Sequence, residues 1–207
     1  MANINAPFGL SAIGGMGSSY ETSGTSKYQI NVNLANGAGY ASSIFKGDLV
    51  YAGDTNNDAA GNASVAGFIA PSDNAETRNV GVFNGCFYQD ATNQKPQWRN
   101  YYPGGTTAVI GTNIDAFVYD DPKQLYLIQA NGVFAQAAMM SNADIVYAAG
   151  ATINGQSLTE MGATAGANTA AQLRVIRVSE DPSNSDLATT DVNVVVRLNE
   201  SIYNILA

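Results

Sequence analysis

Histidine is absent from the 207 residues, and cysteine occurs once, at Cys86. The first absence excludes a Ser-His-Asp or Cys-His nucleophile system and any His-ligated zinc or iron centre. A single thiol excludes an intrachain disulfide and a cysteine metal cluster. Charge is scarce and one-sided, with 9 Lys and Arg against 17 Asp and Glu, a net charge of −8. Phosphate recognition needs clustered cations, and these are scattered, so no nucleic-acid partner is expected. No run approaches the roughly 18 apolar residues that cross a bilayer. The first basic residue is Lys27, so residues 1–24 carry no positively charged leader. The expectation is a soluble protein synthesised in the cytoplasm, with no membrane partner, no cofactor and no bound metal.

What is present is glycine, 21 residues of it, and short apolar runs punctuated by turn residues. Lys27 to Leu34 alternates, with Tyr28, Ile30, Val32 and Leu34 on one face, the pattern of a half-buried strand. Asn36-Gly37 follows as a turn signal. Residues 44–52 read as a second strand bent at Gly47-Asp48, and 53–63 as a polar loop. Further strands are expected over 65–70, 80–88, 114–119, 125–129, 173–178 and 191–199. In the last, Val192, Val194, Val196 and Leu198 share a face. The start of 133–140 reads as strand. Helical turns are expected over Ala143–Ala149, opened by Asn142, and over Ser157–Met161 within a long surface excursion at 150–171. Together these predict an all-β fold, an antiparallel sandwich or barrel-like body with long Gly/Ala/Asn-rich loops.

Residues 1–24 fit neither period. Their composition fits a disordered tail, whereas the isolated apolar residues Ile4, Pro7, Phe8, Leu10 and Ile13 suggest an extended N-terminal arm that orders against a neighbour, with 25–207 as one β-rich body. Burying four such side chains is worth at most about 6–12 kcal/mol, whereas ordering a dozen backbone residues costs about 12–24 kcal/mol. An ordered arm therefore also needs backbone pairing with a sheet edge, or several arms docking together.

Three motifs invite chemistry. Asp54-Thr55-Asn56-Asn57-Asp58 spaces oxygens as a calcium loop does, yet Ala59 and Val65 stand where the glycine and the closing glutamate belong, which leaves a polar turn. Asp120-Asp121-Pro122, with Asp115 or Glu160 as a partner, reads as a strand end entering a turn, since adjacent strand residues face opposite ways. Cys86 lies in an apolar run with no neighbouring cation, a buried structural thiol. No catalytic residue is therefore assigned, and no enzyme is expected. Trp98, Tyr101 and Tyr102, near Pro96 and Pro103, read as an aromatic group in a loop, suited to a protein interface or to stacking on a sugar or base. With Ile4, Pro7, Phe8, Leu10 and Ile13 they are the candidate interface residues.

Five blocks in order carry a resemblance: Met1-Ala2-Asn3 with Ala6 to Leu10, Phe45 to Val50, Gly81 to Tyr88, Ala116 to Pro122 followed by Leu125 to Gln129, and Val194 to Glu200. The chain resembles the capsid decoration (cement) and head structural proteins of tailed bacteriophages. The resemblance implies a virion protein on the capsid exterior, with the major capsid protein as partner and a homo-oligomer, a trimer by preference. A tail or head–tail connector component is the alternative, and a carbohydrate-binding module a more distant one.

Overall fold

The computed structural model describes residues 3–16, 24–30, 40, 42–53, 69–73, 79–105, 114–166 and 169–203. In chain order its strands are β1 (Ser11–Gly15), β2 (Ser26–Ile30), β3 (Leu49–Ala52), β4 (Ile69–Pro71), β5 (Asn79–Gln89), β6 (Pro96–Arg99), β7 (Ile114–Tyr119), β8 (Gln124–Gln129), β9 (Asn142–Ala143), β10 (Ile145–Val146), β11 (Glu160–Met161), β12 (Leu173–Val178) and β13 (Asn193–Leu198). The fold is all-β, as the alternating runs predict, and every strand pair is antiparallel. Helix is confined, among the described residues, to one 3₁₀ turn over Gln136–Ala138. Among these residues no helix is long and apolar enough to cross a membrane.

One sheet has the order β1-β8-β13-β12-β9, and a second the order β2-β7-β5-β3-β4 with β6 added beside β5. The second sheet curls until its outer strands β2 and β4 approach each other. Its concave side encloses a core that includes Ile30, Val50, Ile69, Phe83, Cys86 and Val118. The first sheet packs on the outside of that curl. Tyr126, Ile128, Val194, Val196, Leu173 and Val175 there meet Leu49 and Val82 of the curled sheet. Expected strand positions thus become the two cores. Val32, Leu34, Asn36-Gly37 and the 54–58 loop lie outside the described residues.

Both sheets meet at the turn Phe45–Asp48, where the backbone is crowded. Gly47, at φ +94°, adopts a conformation that side-chain-bearing residues rarely do. Its N–H donates to Phe83 O of β5 (2.9 Å), and its carbonyl accepts from Leu10 N–H (2.8 Å). Lys46 N–H donates to Gly155 O, and Ser157 N–H returns to Lys46 O. Gly9 packs so closely there that a Cβ would stand 2.6 Å from Ser157 Cβ and 2.7 Å from Gly47 O.

Residues 3–16 of the expected arm lie along the chain's own body. β1 pairs with β8, and Leu10, 2% exposed, belongs to the core between the sheets. Ahead of it the backbone is held by side-chain amides. Ala6 N–H donates to Gln129 Oε1 (3.0 Å), while Gln129 Nε2 and Asn184 Nδ2 both donate to Ile4 O (2.9 and 2.8 Å). Asn3 Nδ2 donates to Asp186 O and Thr190 O (2.9 and 2.7 Å). The backbone pairing that the burial arithmetic requires is supplied by the chain itself.

Three local expectations are corrected. Ala143–Ala149 holds no helical turn: β9 joins β12, and β10 pairs with β11. Ser157–Met161 is extended rather than helical, with Ser157, Thr159 and Met161 buried, so the 150–171 excursion runs partly through the interior. The start of 133–140 is no strand; Phe134 is a buried anchor beside the 3₁₀ turn. In each case tertiary pairing or packing decides where the local pattern is weak. Leu10→Ala is expected to lower the unfolding free energy by about 2–4 kcal/mol, measured as a drop in urea midpoint. An unchanged midpoint would mean that Leu10 is not seated in the core.

Candidate interaction face on the curled sheet

Among the described residues, the first sheet covers only one end of the convex face of the curled sheet. At one end Leu49, Val82 and Tyr119 stand side by side on β3, β5 and β7 and pack against the first sheet. Further along the same face, cross-strand register sets Gly85 beside Phe117 and Phe87 beside both Trp98 and Asp115. A register slip between Phe83 and Gly85 keeps β5 in step with β7 across this stretch.

Trp98 and Phe87 are half-exposed, at 51% and 43%. The Trp98 ring tilts on Phe117 with centroids 5.1 Å apart and planes at 52°, an edge-biased aromatic contact. It also covers Gly85, where a Cβ would come within 2.5 Å of Trp98 Cζ2, so the ring's seat depends on glycine. Beside the rings Lys27 Nζ pairs with Asp115 Oδ2 at 2.8 Å. That pair is solvent-facing, so its net stabilisation is small. Its neighbours make the face an apolar centre with a polar, neutralised border.

The other candidate residues separate. Tyr101 turns away from Trp98 and stacks on Phe45, with centroids 5.6 Å apart and planes 5° from parallel. Tyr102 is fully buried, and its hydroxyl donates to Tyr40 O and Gly105 O. Leu10 is likewise interior. Neither Leu10 nor Tyr102 stands at a surface where an interface would need it. Ile4 and Ile13 are exposed, while Pro7 and Phe8 are half-buried along the N-terminal segment. Phe87 and Phe117 were not legible as interface residues, because only strand register, which sequence does not print, brings them to Trp98.

The acidic candidates are occupied by turns and strands. Asp120 accepts from Ser26 Oγ (2.9 Å) and from the Tyr28 hydroxyl (2.8 Å), whereas Asp121 accepts from Lys123 N–H (2.8 Å). The two carboxylates therefore serve different partners, and Glu160 lies on β11. Burial pushes the Glu160 carboxyl up, with the Asp191 charge adding to it. Among the described residues no three His, Cys, Asp or Glu side chains gather as a metal site requires. An open cleft of about 160 Å³ lies between Tyr40, Ser72, Asp73 and Tyr147. It is smaller than the roughly 300–1,000 Å³ that drug-sized ligands fill.

Cys86 sits on the concave side, fully buried, with its thiol 3.6 Å from Tyr101 O. Burial pushes it up to about 12, and the Arg99 charge only partly offsets this. Native protein is expected to leave Cys86 unreactive toward a disulfide reagent until urea unfolds it. Trp98, the single tryptophan, is expected to be openly quenched by acrylamide, and Gly85→Ala to shift its emission. A rapidly labelled native thiol, or a shielded tryptophan, would contradict this geometry.

Comparison of the chain with protein-family models, with curated proteins and with solved structures gave no match.

Proposed function

We propose that this chain is a non-enzymatic structural protein of a tailed-bacteriophage virion, a decoration (cement) protein that binds the outer surface of the head. The observation that carries the reading is the aromatic face formed by Trp98, Phe87 and Phe117, which continues a face buried elsewhere in the same molecule. Half-exposed aromatics inside a polar border are the composition of a protein-binding centre. The ordered blocks of the resemblance support it as well. They coincide with the junction turn Phe45–Asp48, with β5, with β7 and its turn, and with β13.

In this reading the major capsid protein is the partner, and the Trp98 face replaces a free arm as the principal contact. The net charge of −8 favours a basic patch on the shell. Binding assembled shells but not loose subunits stabilises the shell by mass action. A threefold homo-oligomer would let several weak contacts act together.

The test is co-sedimentation with heads of the phage that encodes the chain. Trp98→Ala is expected to weaken binding by about 30-fold or more, the loss of one central anchor, with circular dichroism unchanged. Undiminished binding would overturn the assignment of this face. Recovery at about a dozen copies per virion instead of hundreds would favour a tail or connector position, and glycan binding lost in Trp98→Ala would favour a carbohydrate-binding module.

A further inference from the structure

The junction turn holds a carboxyl group in a place where a charge is costly. Asp48 is fully buried. Its Oδ2 accepts from Phe45 N–H at 2.8 Å, while Oδ1 has no hydrogen-bond partner among the described residues. The Ser157 hydroxyl lies beside the group and favours its charged form, as does Phe45 N–H, but burial outweighs both and pushes Asp48 up to about 6. A buried carboxylate with so few donors is destabilising, and a neutral carboxyl in the same place costs much less.

Among the described residues the surroundings offer no compensating cation. The packed segments 8–10 and 150–157 contain no ionisable side chain, and neither does Phe83 of β5. Lys46, two residues before Asp48, is exposed. Tyr147 is the titratable neighbour that feels Asp48: burial pushes its phenol up to about 12, and the Asp48 charge adds to that. It stays neutral through the range where Asp48 titrates.

We infer that Asp48 is a proton-operated latch on the N-terminal segment, closed when its carboxyl is neutral and loosened when it ionises. The coupling is geometric. Gly47, the adjacent residue, accepts the Leu10 N–H, Gln156 Nε2 donates to Phe8 O, and Gly9 rests on Ser157 and Gly47. Ionised Asp48 gains most from water at Oδ1, and water reaches it when the segments folded over the turn part. This inference is independent of the capsid-binding reading.

The sign follows from linkage. Asp48 has a higher affinity for its proton in the folded chain than the ordinary carboxylate value of 3.8. Its stabilising contribution is therefore full below about pH 4 and is lost as pH rises through about 6. A difference of about two units corresponds to about a hundredfold in the opening equilibrium.

The test follows the Asp48 carboxyl by ¹³C NMR and the Leu10 amide by hydrogen exchange, corrected for intrinsic rates, between pH 4 and 7.5. Asp48 is expected to titrate near 6, and Leu10 protection to fall by up to about a hundredfold over the same range. In Asp48→Asn that fall is expected to vanish, while Glu180→Gln, at an exposed site after β12, keeps it. An Asp48 midpoint near 4 would overturn the latch. So would Leu10 protection that ignores pH in the parent chain, or a fall that persists in Asp48→Asn. If Asp48→Asn does not fold, the titration and exchange of the parent chain decide the matter.

Discussion

The whole arrangement depends on four residues, Phe45 to Asp48, that let two sheets, the N-terminal segment and the 150–157 loop share one small volume. Hydrogen bonds run from this turn to Phe83, Leu10, Gly155 and Ser157. Their geometry requires glycine at both contact points. At Gly47 a Cβ would lie 3.0 Å from Phe8 O and the backbone angle is left-handed; at Gly150 a Cβ would lie 2.3 Å from Phe45 Cγ. Close approach removes water, and the removal of water sets the chemistry of Asp48. Packing and electrostatics at the turn are one constraint, because the contacts that hold the sheets together also strand the carboxyl.

Several strands that sequence made legible alternate because one side faces a core and the other does not, whereas β5 and β13 are largely buried on both faces and read as apolar runs. Ile114–Tyr119 and Leu173–Val178 are the plainest examples of alternation. The elements that were hidden owe their form to partners distant in the chain. β1 carries Gly14 and Gly15 and gains its strand character from β8, more than a hundred residues later. β6 looks like a Pro-bounded loop and is fixed by β5. Asn142 to Val146 has a helix-like opening but is claimed by β12 and β11. Of the candidate interface, Trp98 was visible as an exposed aromatic type. Its companions Phe87 and Phe117 required the register between three strands, and Tyr101 and Tyr102 were adjacent in sequence but were sent elsewhere by the chain reversal that follows β6.

The curled sheet uses its two sides differently. Its concave side is filled by buried side chains, with Cys86 as a packing group among them. Its convex side is divided between a buried end under the first sheet and an open end around Trp98. One continuous face is therefore buried at one end and exposed at the other, and the boundary between them is drawn by where the first sheet stops. The ion pair Lys27–Asp115 lies on the open side of that boundary.

The strand β1 also has a protective effect. Without it, β8 would offer Leu125 and Leu127 on an unpaired edge, a ready template for pairing with other chains. With it, the outermost strand is five residues long, contains two glycines and slips register between Ala12 and Gly14. Such a strand is a poor template for further addition. The N-terminal segment thus ends the sheet as well as fastening it.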